Sequence, residues 1–277
     1  MKKAVNAWTF PSDMPVKERI QEAAKAGYDG IELIFTEQGE VSLERTDAEL
    51  AEYRKLAESL GIEIPSIVAS VYGRDNLANP DPAIIDAGIE RGARALHAAA
   101  VLGADTILLV PGRVNKETEN PNGRYDIVYE NAAKNVKRLA KFAEQEGVYI
   151  GIENVWNKFL LSPLEMRTFV DSAESPYVGV YFDVGNFLPW AFPEQWIRIL
   201  GSRIKKMHVK DYLISSGPCG TFVDLLEGSV DYAEVMHACR EVGYDNYMVA
   251  EVPPFAADRT LKAKTTALAM DTIFNLK

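Results

Sequence analysis

The sequence predicts a single (β/α)8 barrel. Three observations carry that prediction: eight short apolar runs of strand length, amphipathic stretches of helical length between them, and a glycine at most helix-to-strand junctions. The strand-like runs are Ala4 to Thr9, Gly30 to Phe35, Ile62 to Ala69, Thr106 to Val110, Val148 to Glu153, Val178 to Asp183, Ile204 to Lys210 and Tyr247 to Val252. Helical patterns between them include Val16 to Ala26, Asp47 to Leu60, Pro82 to Leu102 and Tyr125 to Glu146, with Gly27, Gly61, Gly103, Gly147 and Gly243 as helix stops. At 277 residues, 47% of them hydrophobic, the chain suits one large barrel domain spanning residues 1–277. A doubly wound open sheet shares the alternation, but the chain has neither a dinucleotide-binding glycine fingerprint nor a Walker A loop.

Forty acidic against thirty basic residues give a formal charge of -10, so a nucleic-acid backbone meets net repulsion and is not an expected partner. The two cysteines, Cys219 and Cys239, are too few and too far apart for a disulfide scaffold or a Cys-x-x-Cys site, which points to a reduced, cytoplasmic setting. Pro11, Ser12 and Asp13 interrupt the apolar start before it reaches signal-peptide length, and no stretch approaches the roughly 18 apolar residues of a membrane span. The longest expected loop, Leu213 to Gly228, follows the seventh strand on the face where barrels keep active sites.

Ionisable residues at the C-terminal ends of buried strands are costly unless they bind something. Four late strands carry one each: Glu153, Asp183, His208 and Glu251. Alternation along a strand turns Glu153 inward with Gly151 and Tyr149, and Asp183 inward with Tyr181 and Gly179. Three carboxylates and one imidazole make a hard, mostly oxygen donor set suited to one divalent cation, Mn²⁺, Mg²⁺ or Co²⁺ before a thiolate-type structural zinc. Without a cation the three carboxylates repel one another and their pKa values rise.

In their order, Glu153-Asn154, Asp183-Val184-Gly185-Asn186, His208-Val209-Lys210-Asp211 and Glu251, these motifs resemble those of the xylose-isomerase-like barrels of the sugar and sugar-phosphate isomerase/epimerase group. The likeness is nearest to the ketose 3-epimerases, pentulose-5-phosphate 3-epimerases included. It implies one metal, Mn²⁺ first with Mg²⁺, Co²⁺ or Zn²⁺ as alternatives, held by Glu153, Asp183, His208 and Glu251, with Glu153 and Glu251 also the catalytic acid/base pair. Epimerisation beside a ketone needs a proton removed on one face and returned on the other, through an enediolate that a metal stabilises. The resemblance also implies a homo-oligomer, dimer or tetramer. An aldose-ketose isomerase or an inosose-type dehydratase would use the same residues, and a non-catalytic carbohydrate-binding barrel is the alternative from another class. Two positions set the chain apart from free-ketose members: Asn186, as in sugar-phosphate members, where those have a histidine, and Phe159 where they have a substrate-contacting glutamate.

Further substrate contacts are expected from Lys210, which shares the face of His208, from Asn154 and Asn186, and from Trp8, Trp156 and Phe159, whose rings suit a sugar face. Asp211, at the loop start, is a candidate to orient the His208 imidazole from behind and equally a plain loop cap. Lys206 also points inward and needs an anion, for which Glu32 is a candidate; Glu32 is equally a candidate substrate contact. Leu225 to Ser229, with Gly228, is a candidate phosphate cradle. His97 and His237 fall in helical patterns and read as structural. With three histidines in all and an acidic balance, the chain does not supply the zinc cluster of the apurinic-site endonuclease branch of the same superfamily.

Overall fold

A computed structural model describes residues 1–72 and 77–277. Its strands are β1 (Lys2–Asn6), β2 (Gly30–Thr36), β3 (Ser66–Ser70), β4 (Thr106–Leu109), β5 (Tyr149–Glu153), β6 (Val178–Asp183), β7 (Ile204–Val209), β8 (Asp211–Ser216), β9 (Cys219–Val223) and β10 (Tyr247–Ala250). Eight of them close into a parallel barrel in the order β1, β10, β7, β6, β5, β4, β3, β2, as the alternation predicts, while β8 and β9 form a separate antiparallel hairpin. The outer helices are α1 (Val16–Lys25), α2 (Asp47–Ser59), α3 (Pro82–Leu102), α4 (Tyr125–Glu146), α5 (Pro163–Asp171), α6 (Pro193–Leu200), α7 (Tyr232–Glu241) and α8 (Leu261–Phe274). Gly27, Gly61, Gly103, Gly147 and Gly243 all adopt φ between 67° and 83°, the left-handed turn that ends a helix and that residues with a Cβ resist.

Most strand boundaries differ from the sequence reading by one or two residues, and three differences have a visible cause. The first strand stops at Asn6 because its side chain accepts the Trp8 N–H at 2.7 Å and starts a 3₁₀ turn over Ala7–Thr9. The third begins at Ser66, after Pro65, whose missing N–H interrupts the ladder, so that of Ile62 to Ile64 only Glu63 pairs, in an isolated bridge to Gly30. The expected loop from Leu213 to Gly228 is mostly the β8–β9 hairpin, turned at Gly217 and Pro218.

Two apolar layers hold the barrel. Alternate residues facing outward pack under the helices, while Ala4, Val68, Leu108, Tyr181, Tyr247 and Val249 fill the interior. Pairing between β6 and β7 slips by one residue between Val180, opposite Ile204, and Tyr181, opposite Lys206, and the slip brings Asp183 level with His208. No helix among the described residues is long and apolar enough to cross a membrane.

Lys206 points into the barrel as the alternation requires, but its partner is Asp105, at 2.5 Å, and not Glu32. Its side chain is fully buried, whereas Asp105 is half exposed and stays solvated without it. Burial pushes the ammonium below its ordinary pKa of 10.5 despite Asp105. Unfolding therefore takes up protons, so this lysine's contribution to stability rises with pH up to about 10.5. Lys206→Met should leave stability at pH 7 within about 1 kcal/mol of the wild type or above it. Denaturation curves from pH 7 to 10 should show the wild type gaining on the variant as pH rises; parallel pH profiles would exclude the buried-charge account.

Candidate metal centre and active site

The C-terminal mouth of the barrel opens into a cavity of about 470 Å³. Glu153 ends β5, Asp183 ends β6, His208 lies near the end of β7, and Glu251 follows β10 directly. One donor atom from each can be chosen so that all four lie within 4.8 Å of one another. His208 Nδ1 lies 3.3 Å from Glu153 Oε1, 3.4 Å from Glu251 Oε2 and 3.9 Å from Asp183 Oδ2. Asp183 is held from behind: its Oδ1 accepts the Gly185 and Asn186 N–H groups at 2.9 and 2.7 Å, which leaves Oδ2 to face the other ligands.

Electrostatics and unmet bonding both point to a cation. Burial raises the Glu153 carboxyl to about 7 even though His208 pulls it down, and burial likewise raises Asp183 against the pull of Lys210. Burial works against charge on His208, but Glu32, Glu251 and Glu153 together hold its imidazole well above 6.5. The Lys210 ammonium lies 3.0 Å from Asp183 Oδ2 and touches Glu251 Oε2, yet both oxygens are buried without an aligned hydrogen bond. Two carboxylate oxygens that share one lysine ammonium without an aligned hydrogen bond, beside a further buried carboxylate and an imidazole, fit a divalent metal ion.

A family profile described as xylose isomerase-like TIM barrel matches residues 20–271. The chain belongs to the xylose isomerase-like TIM-barrel family. Among its relatives, the L-ribulose-5-phosphate 3-epimerase UlaE of Escherichia coli (strain SMS-3-5 / SECEC) is 24% identical over 242 residues, covering 82% of this chain and 78% of that protein. The D-psicose 3-epimerase of Clostridium cellulolyticum H10, solved with D-tagatose, superposes with a TM-score of 0.79 at 18% identity, over 100% of this chain and 99% of that one. An IolI protein solved with a zinc atom superposes with a TM-score of 0.81 at 16% identity, over 99% and 98% of the two chains.

Within this xylose isomerase-like frame, several expected contacts have other work. Glu32 is fully buried beneath the cavity floor, where His208 Nε2 lies 2.7 Å from Oε1, beside the Asn6 amide at 2.7 Å; Oε2 accepts the Ser66 and Tyr181 hydroxyls at 2.7 and 2.6 Å. The residue that orients His208 is therefore Glu32, not Asp211. Asp211 turns away and accepts backbone N–H groups of its own loop, those of Tyr212, Leu226, Gly228 and Val230. These donors include the backbone expected to cradle a phosphate.

Asn154 spends both amide ends on Asp183, accepting its N–H and donating to its carbonyl, each at 2.8 Å, so it positions a candidate metal ligand and has no amide group left for a substrate. Asn186 lines the cavity while donating to the Asn154 carbonyl at 2.9 Å. Trp8 and Lys210 line the cavity too. Trp156 stands beside it, bonded through its indole N–H to the Asn186 carbonyl, on a half-exposed aromatic shelf with Trp190 and Phe222. Phe159 is buried among Tyr125, Tyr129 and Phe169, outside the cavity. His97 bridges Asp47 and Glu146 on the surface, and His237 pairs with Glu241, as structural residues do.

The sequence reading missed Asn6, Ser66 and Tyr181 as the partners of Glu32. Polar residues at inward positions of apolar strands were the available signal. A carboxylate behind a metal-binding histidine typically contributes 10–100-fold in metal affinity. Glu32→Gln should therefore weaken Mn²⁺ binding by about 10–100-fold in a calorimetric titration. Unchanged affinity in a folded variant would remove Glu32 from that role.

Proposed function

We propose that this isomerase/epimerase-type enzyme is a divalent-metal-dependent ketose 3-epimerase. The observation that carries the reading is the placement of two glutamates, Glu153 and Glu251, whose strands are separated in the barrel wall by β6 and β7. They approach one cavity from different sides, which is what proton removal and return at a single carbon require. The names of relatives such as UlaE support the same chemistry.

In this mechanism one glutamate takes the proton from C3, beside the ketone, and the other returns a proton to the opposite face of the planar enediolate. Lys210, whose ammonium stands between Asp183 and Glu251, is placed to donate to a substrate oxygen. A divalent cation held by Glu153, Asp183, His208 and Glu251, with Mn²⁺ the favoured ion, supplies Lewis-acid stabilisation of negative charge on the substrate oxygens. Trp8 at the rim excludes water from the apolar face of the sugar.

The test is proton NMR in D2O on Mg²⁺-loaded protein incubated with pooled ketoses and ketose phosphates. Loss of the C3–H signal, with the epimer appearing, is the expected result. Exchange at C1 would instead indicate an aldose-ketose isomerase, and no exchange with metal bound would count against an enolising enzyme. Glu153→Gln and Glu251→Gln should each lower the exchange rate by at least about 10²-fold, the lower end of what a positioned acid/base group contributes.

A further inference from the structure

The catalytic cavity has a neighbour on the same barrel mouth. A second cavity, of about 550 Å³, lies between the loops after β5 and β6, and Val155 lines both. Its wall includes Trp156, Leu161, Phe187 and Trp190, and Lys158 is the one charged residue that lines it. The rings of Trp156 and Trp190 stand 5.6 Å apart at 68°, and Phe187 meets Trp190 edge-on at 6.3 Å. Trp156 and Trp190 are 48% and 62% exposed, an apolar surface that is unfavourable against water unless something lies on it.

The backbone around this cavity is fixed. Phe159 is anchored in the core against Tyr125 and Phe169, and the residues on either side of it, Lys158 and Leu160, take left-handed φ of 60° and 54°, which residues with a Cβ resist. Asn157 ties the loop to the one after β4, donating its amide to the Gly112 carbonyl at 2.7 Å and accepting the Phe159 N–H at 3.1 Å. On the opposite wall the Trp190 and Ala191 N–H groups close a turn onto the Phe187 carbonyl, at 2.9 and 2.8 Å. The connection to the catalytic cavity is direct, because the Trp156 indole N–H is bonded to the carbonyl of Asn186, a residue that lines that cavity. Walls held in this way lose little entropy when the space between them is filled.

We infer that this second cavity is a subsite for a further sugar ring, so that the substrate is a ketose carrying a glycosyl group at the end remote from its ketone. The inference rests on the proposed 3-epimerase activity for the placement of the ketose itself. Proton transfer at C3 between Glu153 and Glu251 puts the ketone end at the strand ends, so the carbons beyond C3 leave toward the loops, where the second cavity begins. A sugar ring has an apolar face of C–H groups that suits the negative face of an indole, and hydroxyls around its edge. Trp156 and Trp190 supply such faces, and the Lys158 ammonium supplies donors for hydroxyls. The concave shape and the continuity with the catalytic cavity favour part of a substrate over a second copy of the chain, which would cover a broad face of about 800 Å².

The experiment titrates the Mg²⁺-loaded full chain by calorimetry with D-fructose and with two glycosyl-fructoses that keep C2 and C3 free, lactulose, substituted at O4, and isomaltulose, substituted at O6. At least one disaccharide should bind about tenfold or more tighter than D-fructose, the scale of one ring stacked on an aromatic pair. Trp190→Ala, at an exposed position, should cancel that advantage while leaving the affinity for D-fructose within about twofold of the wild type. Disaccharides that bind no tighter than D-fructose overturn the inference, as do an advantage that survives Trp190→Ala and a failure of all three sugars to bind. Light scattering on both proteins tests the other occupant: a dimer that becomes monomeric in Trp190→Ala assigns the cavity to a second copy and overturns the inference as well. C3–H exchange in D2O separates the subsite from the activity. A Trp190-dependent advantage without exchange upholds the subsite and refutes the epimerase, whereas exchange of D-fructose with no disaccharide advantage does the reverse.

Discussion

The candidate metal centre depends on one buried carboxylate. Glu32 sits inside the barrel, where an unpaired charge is prohibitively costly, and it is satisfied by four groups drawn from four other strands: Asn6 of β1, Ser66 of β3, Tyr181 of β6 and His208 of β7. Bonding to Ser66, Tyr181 and His208 brings the Glu32 carboxyl below its ordinary range against the opposing effect of burial. A side chain that collects bonds from so many strands fixes their mutual position. It also fixes the ring of His208, whose other nitrogen faces Glu153, Asp183 and Glu251.

Charge inside the barrel is separated by depth. Lys206 and Asp105 pair toward the N-terminal end of the strands, where a barrel keeps residues that serve stability. Two residues further along β7, and on the same inward face, His208 meets the carboxylate cluster at the catalytic end. The one-residue slip between β6 and β7 makes this possible, because it sets Tyr181 against Lys206 and Asp183 against His208. A strand otherwise made to be apolar thus carries three inward polar residues, Lys206, His208 and Lys210 after it, each facing an anion.

The acidic composition has an internal use as well as a surface one. Asp211, Asp231 and Asp258 act as built-in anions that organise backbone N–H groups at the barrel mouth, and the Asp224 carboxylate holds the nearly buried Lys262. These contacts give the β8–β9 hairpin and the loops beside it a fixed base.

The barrel and the grouping of Glu153, Asp183, His208 and Glu251 were legible in the sequence because both follow from local periodicity. Alternation along single strands showed which face Glu153, Asp183, Lys206 and His208 take, and the glycine stops marked where each strand begins. Partnership across the barrel was not legible. Sequence offers Glu32 as a partner for Lys206 where Asp105 is the actual one, and leaves open whether Asp211 orients His208 or caps a loop, because strand closure and the β6–β7 slip set which inward residues meet, and neither leaves a mark on one strand's pattern. The hairpin was hidden for a related reason: Tyr212 to Val223 has no charged residue and no clear inside, so its pairing rests on the Gly217-Pro218 turn and on the grip of Asp211 on backbone 15 to 19 positions away. Sequence determined the elements and the direction of each side chain; tertiary structure decided which charges are neighbours, because their separations in space depend on closing the sheet.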